Sequence, residues 1–406
     1  MPTLSDLWKN EGRELKVLVG LSGGVDSAVA AYLLKKQGHD VTCCFMRNWD
    51  SFLNDDVLGN NTLNNDVCPQ ESDYNDAKAV ADKLGLELLR IDYIKEYWDN
   101  VFKNFIDEYK AGRTPNPDIL CNKYIKFDSF LNFAKEKGFE AIATGHYIKA
   151  VDGDPRRYYK AHDLSKDQSY FLAQVNKDAL DYCLFPLADI DKTEVRKIAN
   201  ELDLTIANKK DSTGICFIGE RDFRKFLQNY IPMKPGKIID IDTLEVIGEH
   251  EGVYYYTIGQ RKGFRVGGNR GPYYCVGKNV KENLLYLTSV LNEDYLYSEK
   301  AYINNINWIS NTDIDDKDIQ CKFRYRQPDQ EVHIKKISDT EAILTYPQKI
   351  KAVTPGQQAV FYLNGEMLGG GIIDKTFNGD IELSEYLDNR VLGHINGWRI
   401  NRDNRR

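Results

Sequence analysis

The eight residues Gly20-Leu-Ser-Gly-Gly-Val-Asp-Ser27 constrain this chain more than any others. They follow a short apolar run, Leu15 to Leu21, that reads as a buried strand. They precede a run from about Ser27 to Gln37 that reads as a helix. Where a strand turns into a helix through small residues, backbone N–H groups can crowd around an anion. Ser22, Gly23 and Gly24 allow that approach, and the helix N-terminus adds partial positive charge. The Gly-Lys-Ser/Thr ending of a Walker A loop is missing. Asp26 stands where that cation would be, and a carboxylate there suits a Mg2+ carried away with pyrophosphate. Gly20, Leu21, Ser22, Gly23, Gly24, Val25, Asp26 and Ser27 are therefore read as a phosphate cradle.

Around this cradle the first half of the chain alternates. Val41 to Met46 reads as a strand, Asp76 to Leu84 as a helix, Leu86 to Asp92 as a strand and Ile94 to Lys110 as a helix. A helix from Asn122 to Lys137 and a strand from Ala141 to Thr144 follow, with further helices at Lys192 to Leu202 and Glu220 to Asn229. This alternation predicts a parallel sheet covered by helices on both faces, with ligands bound beyond the carboxyl ends of its strands. Asn48 to Cys68 is dominated by Asn, Asp and Gly, shows no apolar period and reads as a surface loop. After Pro232 the chain becomes rich in Tyr, Val, Ile and Gly in short alternating runs, at Gly252 to Ile258, Leu284 to Leu291, Lys322 to Tyr325 and Gln358 to Leu363. The expected fold class is α/β: a parallel-sheet domain over residues 1–218, a small mixed domain over 219–294 and a β-barrel over 295–406.

The hydrophobic share of 42% and charged share of 28% are ordinary for a globular chain, and no apolar run is long enough to span a bilayer. The N-terminus lacks the apolar core of a signal peptide, and Asp6, Glu11 and Glu14 speak against a transit peptide, so a cytoplasmic location without membrane attachment is expected. The net charge of −7 has the wrong sign for coating nucleic acid non-specifically. A structured RNA would need local basic patches. Three exist: Arg261 and Lys262 with Arg265 and Arg270; Lys322, Arg324 and Arg326; and Arg399, Arg402, Arg405 and Arg406. Taken alone, each reads better as solvated surface.

None of the eight cysteines forms a CxxC or a zinc-ligand spacing. Cys43 and Cys44 sit in an apolar strand and fit buried small hydrophobes. Two others stand out by their neighbours. In Gly112-Arg-Thr-Pro-Asn-Pro-Asp-Ile-Leu-Cys121-Asn-Lys, Pro115 and Pro117 stiffen an extended loop, and Cys121 is expected at the start of the following helix near Lys123 and Lys126. A helix N-terminus with cations nearby favours thiolate, and Asp118 is placed to act as general acid or base. In Lys209-Lys-Asp-Ser-Thr-Gly-Ile-Cys216-Phe-Ile-Gly, a glycine-containing loop with two lysines precedes another helix. The two cysteines can meet only across a cleft. Taken singly, each also reads as a buried loop residue.

The SGGVDS loop is similar to that of the PP-loop ATP pyrophosphatases, which adenylate an oxygen and release pyrophosphate. The motifs SGGVDS, GRTPNPDILCNKYIKF, ATGHY, KDQSYFL, KDSTGICFIGER, TIGQRKG, RYRQ and TPGQQAVFY occur in that order. As a set they resemble the tRNA-specific 2-thiouridylase family from the nucleotide loop nearly to the C-terminus. The resemblance implies an adenine nucleotide α-hydrolase-like domain in which Gly20 to Ser27 bind ATP with Mg2+, Met46 lies against the adenine and Gly145 is also at the nucleotide. It implies that Cys216 receives sulfur as a persulfide from an upstream donor protein and that Cys121 is its nucleophilic partner. Asn116, Pro117 and Asp118 would face the target base. His146, Lys166, Asp167, Gln168, Arg324, Tyr325 and Gln357 would contact tRNA. The substrate so implied is a tRNA of the Lys, Glu or Gln type, thiolated at C2 of its wobble uridine. The Asn48 to Cys68 stretch is longer than in the commonest members.

Two other readings keep the PP-loop. An amide- or amidine-forming ligase would use nitrogen, but no glutaminase region is evident and both cysteine loops would lack a task. A non-catalytic RNA-binding protein with a relic ATP fold would release no pyrophosphate when tRNA is added. Individual residues also have plainer readings: His146 as a hydrogen-bonded structural residue, Lys166 to Gln168 as a solvated helix start, and Arg324 and Tyr325 as an ordinary strand alternation rather than groups that clamp or stack on RNA.

Overall fold

The computed structural model describes residues 13–63, 65, 69–211, 214–216, 218–264, 266 and 271–403, with side chains described to residue 394. Cys68, Arg265, Arg270, Arg405, Arg406 and the side chains of Arg399 and Arg402 lie outside the described residues, so most of two of the three basic patches does too.

Strand β1 (Lys16–Gly20) is buried from Val17 onward, which requires cover on both faces of the sheet. It pairs in parallel with β2 (Asp40–Arg47), which pairs in parallel with β3 (Glu87–Asp92). On its other side it pairs in parallel with β4 (Ala141–Ala143). The antiparallel hairpin β5 (Ile148–Val151) and β6 (Arg157–Lys160) follows, and β7 (Cys183–Leu184) then adds in parallel beside β4. The strand order β3-β2-β1-β4-β7 reverses direction between β1 and β4, which opens a crevice at their carboxyl ends.

Helix α1 (Val25–Lys36) carries Asp26 in its first turn and Lys35 and Lys36 in its last, in accord with its dipole. It starts two residues earlier than the sequence predicts because Gly24 takes the cap position. Gly38, at φ +89°, closes its far end with an N–H bond to the Lys35 carbonyl. Helix α2 (Pro69–Leu84) begins well before the predicted Asp76. Apart from Gln70 its buried residues are Ala77, Val80, Ala81 and Leu84, so the first half has no apolar period to read. Helix α3 runs through Ile94–Tyr97, a π-helical segment Trp98–Phe102 and Lys103–Lys110. Helix α4 runs through Pro117–Cys121, a π-helical segment Asn122–Ser129 and Phe130–Glu136. Helices α5 (Lys192–Glu201) and α6 (Phe223–Gln228) complete the first half.

The central sheet is mixed. Strands β8 (Gly236–Asp240), β9 (Val246–His250), β10 (Tyr273–Asn279) and β11 (Leu284–Ser289) lie in the order β10-β11-β8-β9, with only β8 and β11 parallel. The strand predicted over Gly252 to Ile258 is instead a 3₁₀ turn, Val253–Tyr255. Val253, Tyr255 and Tyr256 are all buried, and adjacent inward residues cannot satisfy a period of two.

The C-terminal part is a closed six-stranded barrel of β12 (Tyr297–Trp308), β13 (Lys317–Lys322), β14 (Gln330–Ser338), β15 (Glu341–Lys351), β16 (Gln358–Leu363) and β17 (Glu366–Asn378). Pairing of β12 with β17 closes it and leaves no free edge. Strand β13 ends at Lys322, so the predicted strand Lys322 to Tyr325 lies mostly in the turn beyond it. Hairpin β5–β6 joins this barrel from outside: Tyr159 faces Glu366 of β17, and Lys160 N–H donates to the Gly365 carbonyl at 3.0 Å. Helix α7 (Leu383–Asp403) packs Leu387 and Val391 with Val276 and Tyr286 of the central sheet. No helix among the described residues is long and apolar enough to cross a membrane.

Candidate active site

The crevice between β1 and β4 is lined by backbone brought together too closely for side chains. A Cβ on Gly20 would stand 3.2 Å from the Met46 methyl, so Met46 lies against the first turn of the loop. Gly23, at φ +75°, would place a Cβ 2.3 Å from the Asp73 carbonyl oxygen, and only glycine fits. Ser27 Oγ accepts from Ser22 N–H at 3.2 Å and donates to the Gly24 carbonyl at 3.1 Å, which staples the loop onto α1. Gly145 follows β4, and a Cβ there would lie 2.8 Å from Ser27 N. The end of β4 is thus seated on the N-terminus of α1.

Charge is concentrated beside this loop. Lys192 Nζ reaches both carboxylate oxygens of Asp26 at 2.7 Å and Asp211 Oδ1 at 2.8 Å, and Tyr147 donates its hydroxyl to Asp26 at 2.8 Å. Asp211 also takes Arg196 at 2.9 Å and Lys166 at 2.8 Å. Burial works against its ionisation, but hydrogen bonds from Lys166 and Lys192 prevail and bring its pKa down to about 2. Lys209 donates to the Gly23 carbonyl at 3.1 Å and pairs with Asp73 and Asp76 at 2.8 and 2.6 Å. Lys209 directly, and Asp211 through Lys192, thereby tie the chain just ahead of Cys216 to the glycine-rich loop. Among the described residues no three His, Cys, Asp or Glu side chains converge as a metal site.

Cys121 and Cys216 meet. Their sulfurs are 3.7 Å apart and both are free thiols. Cys121 is fully buried in α4, whereas Cys216 is partly exposed in a tight turn closed by the Gly219 N–H to Ile215 carbonyl bond. The Cys216 backbone is gripped on both sides: its N–H donates to Asp118 Oδ1 at 2.9 Å, and its carbonyl accepts from the Tyr97 hydroxyl at 3.0 Å.

The surroundings push the two thiols in opposite directions. A hydrogen bond from Cys121, helped by the nearby Lys126 ammonium, holds the Cys216 thiol below its ordinary range against the cost of burial. Burial, and then the adjacent Cys216 sulfur, push Cys121 well above that range. Of the two, Cys216 is the sulfur whose surroundings favour the thiolate, and Cys121 the one whose surroundings favour the thiol. This reverses the expectation that Cys121 gains thiolate character from a helix N-terminus. Helix α4 starts at Pro117 rather than Asn122, so Cys121 lies a turn inside it, and the Asn116 side chain already caps the Asp118 N–H at 3.1 Å. Lys123 points elsewhere, to Gln174 at 3.4 Å. Burial raises the pKa of Asp118, and its carboxylate is spent on the Cys216 amide.

Behind the pair, His146 is buried with Nδ1 2.8 Å from Thr144 Oγ1 and its ring 5.8 Å from Phe127. Burial, and then Lys126, depress its pKa well below the usual histidine value, so it is neutral. Gly145 touches the glycine-rich loop, and its neighbour His146 packs on Phe127 of α4, the helix that carries Cys121.

The remaining predicted residues are each held by contacts of their own. Pro117 is buried at the start of α4. Gln357 Nε2 donates to the Thr114 carbonyl at 2.7 Å, and Thr114 N–H donates to the Pro355 carbonyl at 3.0 Å, so a barrel loop grips the segment entering α4. Arg324 Nη2 donates to the Ile258 carbonyl at 3.0 Å and to Thr354 Oγ1 at 2.5 Å. Tyr325 is half-buried with its ring 4.4 Å from Phe171. Gln168 Oε1 accepts from Tyr147 N–H at 3.1 Å, and Lys166 engages Asp211. Asp167 faces inward, where it accepts from Ala161 N–H at 3.1 Å and Ser169 Oγ at 2.9 Å.

Sequence reasoning passed over Tyr97, Lys192 and the ordered core of the 48–63 segment, in which Trp49 and Asp56 are buried. Lys192 left a signal: a lysine in the first turn of a helix opposes the helix dipole, so it calls for a carboxylate partner.

Over residues 15–220 the chain matches the tRNA methyl transferase HUP domain, over 224–289 the tRNA methyl transferase PRC-barrel domain, and over 298–373 the aminomethyltransferase beta-barrel domain. It is 56% identical over 369 residues to the tRNA-specific 2-thiouridylase MnmA of Mycoplasma capricolum subsp. capricolum, covering 89% of this chain and 98% of that protein. The protein of the same name from Mycoplasma mycoides subsp. mycoides SC is 57% identical over 369 residues with the same coverage, and that from Mesoplasma florum 55% over 368 residues, covering 88% and 98%. With a phosphate-type cradle and a convergent thiol pair in one chain, and relatives matched at this level over nearly their whole length, the chain belongs to the tRNA-specific 2-thiouridylase family.

Proposed function

We propose that this chain is an ATP-dependent sulfurtransferase that replaces O2 of a tRNA wobble uridine with sulfur, giving 2-thiouridine, AMP and pyrophosphate. The observation that carries the proposal is the approach to 3.7 Å of two free thiols, one favoured as thiolate and the other as thiol. Adenylation turns a poorly departing carbonyl oxygen into the good leaving group AMP. Gly20 to Ser27 and Gly145 form the cradle for ATP, with Met46 at its side. The residues present also fit Mg2+ arriving with the nucleotide, since one carboxylate plus substrate phosphates is that ion's usual protein setting. Asp26, released from Lys192, would hold the ion, whose charge would help neutralise the departing pyrophosphate.

Cys216, as thiolate, is suited to accept a sulfur atom from an upstream donor protein and carry it as a persulfide. The terminal sulfur bonds to C2 of the adenylated uridine while Cys121, losing its proton, attacks the inner sulfur. The S–S bond of the persulfide breaks, a Cys121–Cys216 disulfide forms and AMP leaves. Two thiol sulfurs are oxidised as the transferred sulfur is reduced, so an external dithiol must reopen the disulfide before the next cycle. Asp118 and Tyr97 keep the Cys216 turn in place throughout. Asn116, Pro117 and Asp118 face the base in this reading, and Lys166, Gln168, Arg324, Tyr325 and Gln357 shape the surface on which a tRNA of the Lys, Glu or Gln type rests, while His146 and Asp167, both buried, support it from within rather than touch the RNA.

The test is nucleoside mass spectrometry of tRNA incubated with the protein, ATP, Mg2+ and a polysulfide donor. It should reveal an oxygen-to-sulfur exchange in uridine. Cys121→Ser should abolish the exchange and leave tRNA binding intact. Full exchange by that variant removes Cys121 from the mechanism, and pyrophosphate release without exchange favours a different acceptor chemistry.

A further inference from the structure

The turn that carries Cys216 belongs to no helix or strand, and Gly214 and Gly219 stand within it. Something must fix its exit. Arg221, just past the turn, is held by Asp56: Nη2 and Nε donate to Oδ2 at 2.9 and 3.0 Å, with the side chains only 4% and 0% exposed. Asp56 Oδ2 also accepts from Trp49 Nε1 at 3.1 Å and Ser51 Oγ at 3.3 Å. Further bonds run across the same seam. Asp222 N–H donates to the Gly59 carbonyl at 3.0 Å, Leu58 N–H to Asn229 Oδ1 at 2.8 Å, and the Tyr230 hydroxyl to the Asn54 carbonyl at 2.8 Å.

Trp49 closes the circuit. Its ring lies edge-on to Tyr97 at 6.0 Å, and Tyr97 is the residue whose hydroxyl binds the Cys216 carbonyl. The 49–63 segment therefore reaches the cysteine by two routes, through Arg221 at the exit of the turn and through Tyr97 at its centre. A buried ion pair is a weak source of net stability, since two charges must be desolvated to form it. Its value here is geometric. The sulfurs must close from 3.7 Å to a bond of about 2.05 Å, and a misplacement of about 1 Å at a reacting atom can cost on the order of 100-fold in rate.

We infer that residues 49–63 are a brace for the Cys216 turn, and that Asp56 and Trp49 are positioning residues for sulfur transfer. The inference rests on the sulfur-transfer reading above and gives a task to the stretch that the sequence alone reads as a featureless loop.

The test uses the full-length chain and four variants. Asp56→Asn removes the charge that holds Arg221. Trp49→Phe keeps a ring on Tyr97 but loses the donor to Asp56. Gly59→Ala, at φ +74°, puts a Cβ 2.6 Å from the Asp222 carbonyl oxygen and pries the seam open without touching the charges. Phe52→Ser alters the exposed tip, where Phe52 is 77% accessible.

Three quantities are read: tRNA-dependent pyrophosphate release, single-turnover thiolation with a polysulfide donor, and the rate of Cys121–Cys216 disulfide formation on adding diamide. Thermal midpoints are recorded alongside. For Asp56→Asn, thiolation and disulfide formation should fall by about 100-fold while pyrophosphate release stays within about threefold. Trp49→Phe and Gly59→Ala should fall in the same two readouts by smaller factors, and Phe52→Ser should match the unaltered protein. Pyrophosphate release and thiolation falling together, in step with the thermal midpoint, would reduce the segment to a stability element and overturn the inference. So would an equal loss in Phe52→Ser, which would place the effect at the tip. If the unaltered protein thiolates nothing, the sulfur-transfer reading fails, while the diamide readout still judges the brace.

Discussion

Lys126 sits where burial works against its charge. Burial lowers its pKa, but the Cys216 and Cys121 sulfurs and Asp118 outweigh that and leave it raised. The lysine and the thiolate thus sustain each other's charge. Lys126→Gln should move the Cys216 thiol pKa upward. The pH at half-maximal alkylation by iodoacetamide, followed by peptide mass spectrometry, should rise, and the rate at pH 7 should fall about tenfold for every pH unit by which that midpoint climbs. An unmoved midpoint would assign the effect to the Cys121 hydrogen bond alone. His146 makes a second prediction with a definite sign. Its folded pKa is depressed by burial, so as pH falls through about 6.5 the unfolded chain takes up the proton first. The stability contribution is complete above that pH and is lost as pH drops toward the folded value. Urea midpoints measured against pH should therefore show a shallower acid limb in His146→Gln than in the unaltered chain.

The cradle shows how far an element can be read before it is seen. Gly23→Ala combines a left-handed backbone with an overlap on the Asp73 carbonyl. It should cost about 1–3 kcal/mol of stability and abolish pyrophosphate release, as calorimetry and a pyrophosphate assay would report. The loop was legible because its chemistry is local: small residues between an apolar run and a helix have few other uses. The neighbours of Cys121 and Cys216 mark them out, but only the family resemblance pairs them, and neither their contact at rest nor the difference between their thiols is legible in the sequence. That difference depends on where α4 begins, and Asn116 and Pro117 move its start ahead of the cysteine. Asp56 was illegible because its partner Arg221 is distant in sequence, and Lys192 signalled only that a carboxylate was wanted, not that Asp26 supplies it. β7 has only two residues and no pattern to find. The 48–63 segment misled because its buried residues are polar ones that satisfy each other, Asp56, Ser51 and Asn60 about Trp49, and a search for apolar periodicity is blind to that.

Across the whole molecule, a net charge of −7 places the burden of RNA binding on local groups and on fit between the domains. Arg324 joins the turn after β13 to the Ile258 carbonyl and to the barrel loop at Thr354. Arg324→Ala should therefore weaken tRNA binding with little change in the slope of log affinity against log salt, measured by filter binding. A slope smaller by about one would instead mark a direct phosphate contact. The barrel is joined to the first domain by more than side chains. Lys160 bonds to the Gly365 carbonyl, the Tyr170 hydroxyl to the Gln358 carbonyl, and Gln174 to the Gly370 carbonyl at 2.7 Å. While the chain is being made, hairpin β5–β6 emerges long before the strand it must meet, so a nascent protein halted ahead of β17 displays an open ribbon edge. Messages truncated ahead of β17 should therefore yield a sticky, half-sealed product rather than a smaller working protein.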